Sequence, residues 1–96
     1  MRRAARTDAN QTELVDALRA VGATVQPLHA VGMGCPDLMV GYRGTNYLIE
    51  VKDGNKVPSK RKLTADQVNW HKTWQGQKSI ATTPTEALAI IGVTIK

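Results

Sequence analysis

The chain has 96 residues, a single cysteine, and a net charge of +5 from thirteen basic and eight acidic side chains. That length suits one domain spanning residues 1–96, with a core that is modest because a short chain buries a small share of its surface. No apolar run approaches the roughly 20 residues of a membrane span, and the basic Met1–Arg6 stretch lacks the apolar segment of a signal peptide. Cys35 is alone, which excludes an intrachain disulfide and a cysteine-based zinc site. The basic balance suits an anionic partner, either nucleic acid or a membrane surface, and the expectation is a soluble, cytoplasmic protein.

Taken in chain order, the elements are well punctuated. Asp8 with Gln11 forms a capping-box pattern, and Leu14, Ala17, Leu18 and Val21 give the helix that follows an apolar stripe. Gly22 ends it. Ala23 to Leu28 reads as a strand interrupted by Pro27, hence an edge or bulged strand. Two strands then flank a turn, with residues 37–41 on one side and 46–52 on the other. Lys52 to Lys62 is a polar, basic loop. Thr64 and Gln67 form a second capping box, flanked by Leu63 and Val68 as a hydrophobic staple, for a helix running to about Gln75 and stopped by Gly76. Lys78 to Thr82 is a short strand. Thr83-Pro84-Thr85-Glu86 starts a last helix with an N-cap, a proline at the first helical position and an acid three residues on. That helix reaches Ile91, and a short apolar tail, Val93 to Ile95, follows. The order is α-β-β-β-α-β with a C-terminal helix, an α/β arrangement in which helices flank a mixed sheet.

The central hairpin carries the chemistry. Side chains alternate faces along a strand, so Leu48, Glu50 and Lys52 share one face and Asp37, Met39 and Gly41 share a face of the strand before. A loop of Tyr42, Arg43, Gly44 and Thr45, closed by Gly41 and Asn46, sets a register in which Asp37 lies opposite Glu50. Opposed Cβ atoms sit about 4.5–5.5 Å apart, and a slip of one residue would send the two acids to opposite faces. Two carboxylates that close need a positive charge between them. Mg²⁺ or Mn²⁺ fits, held by one or two carboxylates with substrate phosphate and water. Asp37 and Glu50 would be the ligands, and the carbonyl of Val51 a third oxygen. Lys52, beside Glu50, would orient the attacking water or stabilise charge on the phosphate.

Each residue also has a plainer reading. An aspartate after proline is usually a turn residue, and a Glu-x-Lys strand is usually a solvated face. Here, however, Asp37, Glu50 and Lys52 share a face with Met39 and Leu48, and a partly buried charge requires pairing or a metal. Gln67 can be used up by the capping box with Thr64, and Gln11 by Asp8. His29 reads as a polar loop residue with catalysis as the minor alternative, and Cys35 as a small buried filler. Trp70 and Trp74, four apart on one helix, read as core or as a dimer contact before a base-stacking platform. With no phenylalanine in the chain, burial against a second copy, a homodimer, is expected. Lys56, Lys60, Arg61 and Lys62 form a natural clamp for a nucleic-acid backbone, and Arg2, Arg3 and Arg6 extend it.

Pro36-Asp37 followed by Glu50-Val51-Lys52 resembles the signature of PD-(D/E)XK nucleases. Gly32-Met33-Gly34-Cys35-Pro36-Asp37-Leu38, Glu50-Val51-Lys52-Asp53-Gly54 and Leu63-Thr64-Ala65-Asp66-Gln67-Val68-Asn69-Trp70 together are similar to the VRR-NUC branch, whose members include stand-alone phage and bacterial proteins and domains of larger repair nucleases. The resemblance spans nearly the whole chain. It implies a restriction-endonuclease-like core, Asp37 and Glu50 as metal ligands, Lys52 as the catalytic lysine, and a role at the site for Gln67. Family members carry a glutamate on the first helix that reaches the metal. The matching stretch here is Asn10-Gln11-Thr12-Glu13, which puts Gln11 at that position and Glu13 two residues away.

The reading is therefore a metal-dependent DNA endonuclease acting on structured or branched duplex, flaps and junctions, and leaving a 5′-phosphate as the resemblance implies. One alternative is a DNA-binding module with a vestigial site. Another is a nuclease acting on RNA.

Overall fold

A computed structural model describes residues 9–57 and 62–94. The first helix, α1 (Ala9–Ala20), buries Gln11, Leu14 and Leu18 on one stripe. It ends in a Schellman motif: Gly22, at φ +93°, donates to the Arg19 carbonyl, and Ala23 donates to that of Leu18. The last helix, α3 (Pro84–Ile90), is built alike. Thr83 caps its start with Oγ1 accepting from the Glu86 N–H, proline occupies the first turn, and Gly92 and Val93 close on Ala89 and Leu88. Glu86 turns its carboxylate to the N–H and hydroxyl of Thr82. The expected cap at Asp8 lies outside the described residues, as does Ile95 of the tail.

Four strands follow in the spatial order of their sequence: β1 (Thr24–Pro27), β2 (Leu38–Tyr42), β3 (Thr45–Val51) and β4 (Ser79–Ala81). β1 is the edge strand that Pro27 demanded. It pairs antiparallel with β2, and β2 with β3, whereas β4 joins β3 in parallel across the helix α2 (Ala65–Thr73). The sheet is mixed, as expected. The α2 helix stops two residues before the expected Gln75, with Trp74 as its C-cap, and β4 is narrower than Lys78 to Thr82.

The hairpin has the expected register, Leu38 opposite Ile49 and Gly41 opposite Asn46. Its loop differs. Tyr42 and Thr45 pair across the ladder, leaving a two-residue turn of Arg43 and Gly44. Both have positive φ, 51° and 82°, the type I′ geometry whose twist matches paired strands. An arginine there is uncommon because its Cβ is crowded in the left-handed region, so a four-residue loop was the natural reading.

The two faces of the sheet have different roles. Leu38, Val40 and Ile49 point into a core with Leu14, Leu18, Ala87, Leu88 and Ile91, so α1 and α3 cover this face. The opposite face carries Met39, Leu48, Glu50 and Lys52, and α2 lies over it without a single buried residue of its own.

Candidate active site

The site forms where the start of β2 meets the end of β3. Asp37 stands one position before the Leu38–Ile49 pair, which places it across from Glu50. Its Oδ2 accepts the Val51 N–H at 2.7 Å. That bond locks the acid at the strand end. Lys52 donates its own N–H to the Ala81 carbonyl on β4. Because the peptide is trans and planar, the Val51 carbonyl points the other way, toward the Asp37 side. The Val51 oxygen, the third ligand expected from the sequence, is thus on the side of β3 away from β4.

Glu50 is 1% exposed, as buried as the apolar core. Its Oε2 accepts from Gln67 Nε2 at 3.0 Å and lies 3.9 Å from Lys52 Nζ. Its Oε1 is buried and, while neither carboxyl carries a proton, has no partner among the described residues. Burial pushes the Glu50 carboxyl up to about 8. A proton shared with Asp37 and the Asp37 charge push in the same direction, and the Lys52 ammonium opposes them. The same surroundings reach Cys35, whose thiol is held up by burial first and then by the charges of Glu50 and Asp37. Cys35 is thus half-buried beside the site and kept in its inert thiol form.

Gln67 joins the pieces. Its Oε1 accepts from Lys52 Nζ at 2.8 Å and from the Thr64 N–H at 2.9 Å, while its N–H donates to Thr64 Oγ1. The capping box and the site were competing uses of this side chain in the sequence, and one amide serves both. The approach Gly32-Met33-Gly34 explains how α2 comes near enough. All three residues have positive φ, and a Cβ on Gly34 would overlap the carbonyl of Asp66 and crowd the Gln67 nitrogen. Only glycine lets the loop before Asp37 lie against the first turn of α2.

The remaining expected residues spread out. Gln11 is buried near the start of α1, bordering a groove with Val15, Asp16 and Pro27. Glu13 is exposed and borders a different groove, with Gly54 and Pro84. His29 is exposed in the turn after β1. Lys56 and Lys62 are exposed on the basic loop; Lys60, Arg61, Arg2, Arg3 and Arg6 lie outside the described residues. Trp70 and Trp74 stack on each other with centroids 4.7 Å apart, but Trp74 is 43% exposed, so the pair is no part of the core.

Two residues escaped the sequence reading. Asn10 Nδ2 donates to the Lys52 carbonyl at 2.8 Å, and at 3.4 Å to that of Thr82, tying α1 to the strand ends under the site. His71 lies one turn beyond Gln67 with its Nε2 buried and without a partner among the described residues, and burial, with Lys78 and Lys52 nearby, holds its imidazole below the usual range. The spacing from Gln67 to His71 was the available signal for the second; nothing local marks Asn10.

The donor set fits a hard divalent cation. Two opposed carboxylates, one with an orphaned buried oxygen, and the Val51 carbonyl are oxygen ligands of the kind Mg²⁺ takes while keeping several waters. Among the described residues no group of three or more His, Cys, Asp or Glu gathers for a metal. Substrate phosphate and water would complete the coordination.

No family model matches the chain, and no curated protein matches it. A solved structure described as a VRR_NUC domain is similar at 24% sequence identity, with a TM-score of 0.61, covering 84% of this chain and 88% of that one. At that identity the likeness is one of fold. The mixed four-stranded sheet with helices on both faces is a VRR_NUC-like fold, the class expected from the sequence.

Proposed function

We propose that the chain is a member of the VRR-NUC group of PD-(D/E)XK nucleases, and that it hydrolyses phosphodiester bonds in DNA, on structured or branched duplex, with Mg²⁺ or Mn²⁺. The observation that carries this reading is Glu50: a carboxylate as buried as Ile49, facing Asp37, with one oxygen unpartnered and an ammonium held beside the other. A buried acid in that setting is destabilising unless a cation joins it.

Asp37, Glu50 and the Val51 carbonyl would hold the metal. When bound, it supplies a Lewis acid for the phosphoryl oxygen and acidifies a water. Lys52 has three N–H donors. One is taken by Gln67, and Glu50 Oε2 lies 3.9 Å from the ammonium, which on this reading would use its remaining donors to stabilise charge that builds on the phosphate during attack. Gln67 fixes both Lys52 and Glu50, a positioning role. Lys56 and Lys62, with the neighbouring cations of the loop, would grip phosphates without reading sequence. A homodimer is kept as part of this reading, with light scattering as its measure.

The test is cleavage of flap, junction and plain duplex DNA with Mg²⁺ or Mn²⁺, using Asp37→Ala and Lys52→Ala as controls. An inert wild type, or controls that cut equally well, removes the reading. An RNA strand in the same assay decides between the two nucleic acids, since every contact named goes to phosphate.

A second reading has its own support. Gln11 stands where the family carries an acid, and only two carboxylates gather at the site. A DNA-binding module with a vestigial site would bind DNA in a salt-sensitive way without metal dependence. Calorimetric titration with Mn²⁺ separates the two: heat lost in Glu50→Ala supports the nuclease, and no binding supports the module.

A further inference from the structure

We infer that the apolar groove beside the active site stacks the base of an unpaired nucleotide adjacent to the scissile phosphate, so that the preferred substrate carries a single-stranded segment at the cut. This deepens the nuclease reading and rests on it.

The groove lies on the same face of the sheet as the acids. Met39 and Leu48 are paired across the hairpin, two positions along from Asp37 and Glu50 on the same face. Two residues of strand advance about 7 Å. This pair is thus within about 7 Å, along the strands, of a phosphate held at the acids. Met39, Leu48, Asn46, Trp74, Gly76 and Gln77 enclose a groove of about 380 Å³. Trp74 gives one face to Trp70 in near-parallel stacking, 13° between planes, and remains 43% exposed. A nucleobase placed on the outer face would extend an aromatic stack already two rings deep.

The polar groups around the groove point to a flat π surface rather than a hydrogen-bonding edge. Gln77 takes the Leu48 N–H on its Oε1 and donates its Nε2 to the Leu48 carbonyl and Ser79 Oγ. The backbone at the floor is thereby satisfied and offers little to read a base edge. Stacking on such a floor tolerates any base. Lys78 Nζ donates to the Trp74 carbonyl at 2.8 Å, which holds a cation at the C-terminal end of α2.

The charge argues against a second copy as occupant. Pairing through this face would bring two chains of +5 together with Lys78 on each side. An anionic strand meets no such objection.

The experiment uses the full chain with Ca²⁺ in place of Mg²⁺ and three labelled DNA probes: single strand, flap and blunt duplex. Trp74→Leu keeps apolar bulk and removes the ring system; Trp74→Phe keeps a ring. Trp74→Leu is expected to weaken single-strand and flap binding about five-fold or more and to leave blunt duplex unchanged, with Trp74→Phe close to wild type. An abasic nucleotide at the first unpaired position should cost the wild type the same factor and cost Trp74→Leu nothing further. This arm needs only the wild type if Trp74→Leu fails to fold. Equal binding by Trp74→Leu, an equal loss on all three probes, or no abasic effect overturns the inference. So does light scattering in which the wild type is a dimer and Trp74→Leu a monomer. Cleavage by wild type without the abasic effect sinks the groove alone; the abasic effect without cleavage sinks the nuclease reading and leaves the groove.

Discussion

Ile49 and Glu50 are neighbours on β3, 0% and 1% exposed, and they face opposite sides of one sheet. On the Ile49 side two helices cover the strands with aliphatic side chains. On the Glu50 side one short helix with no buried residue is attached through polar groups and a glycine contact. Equal burial therefore means opposite things. For Ile49 it stabilises the fold by removing apolar area from water. For Glu50 it costs stability and stores an affinity for positive charge. One face holds the protein together, and the other is held together by it.

The sharpest way to break that contrast is to truncate both sides. Ile49→Ala should cost about 2–5 kcal/mol, a large share of the stability of a domain this small, read from urea unfolding. Glu50→Gln should act in the opposite direction near pH 8 while abolishing Mn²⁺ binding. A loss of stability from Glu50→Gln comparable to that of Ile49→Ala would end the two-faced account.

The next effect is one of pH. The folded Glu50 carboxyl titrates near 8, against 4.5 when unperturbed. Between those values the folded chain binds more protons than the unfolded one, so stability falls as pH rises. The melting temperature of the metal-free protein is expected to drop from pH 5 to pH 8, and Mn²⁺ at pH 8 to recover it. Binding there should release protons. A flat profile in Glu50→Gln, where wild type slopes, assigns the effect.

Smaller still are changes that move α2 and spare the core. Gly34→Ala forces a Cβ into the Asp66 carbonyl at a left-handed position. Cleavage should fall about 10–100-fold, as for loss of a group that orients metal ligands, and Gln67→Ala should do the same. Apolar melting should change little in either. Smallest is Arg43→Asn in the hairpin turn, remote from both faces. Asparagine tolerates positive φ better, and a gain below ~1 kcal/mol with unchanged cleavage is expected.

The hairpin register was readable because period-two alternation leaves one way to bury Leu38, Val40 and Ile49 together, and the acids follow from it. The end of α1 at Gly22 was readable for a similarly local reason, whereas α2 stops at Thr73, ahead of the expected Gly76. The turn was not, because Arg43 adopts a conformation its residue type disfavours and only the ladder on either side compels it. The tryptophans are outside the core, the first of the two places expected for them, because spacing along a helix reveals a shared face but not what covers it. Asn10 was invisible, since its partners are carbonyls distant in sequence. Gln67 showed two signals that looked exclusive, and only the coordinates show an amide with enough donors and acceptors for both.

That shared amide couples two events that are separate in most proteins. The first turn of α2 cannot fray without releasing Thr64, and the oxygen that leaves Thr64 is the one that restrains Lys52. On the proposed nuclease reading, opening that helix end would release Lys52 while leaving α1, α3 and the apolar layer in place. Local openings of this kind cost less free energy than global unfolding. A strand seated across the acids and Lys52 would hold the helix closed by occupying what it guards, making the substrate its own safety catch.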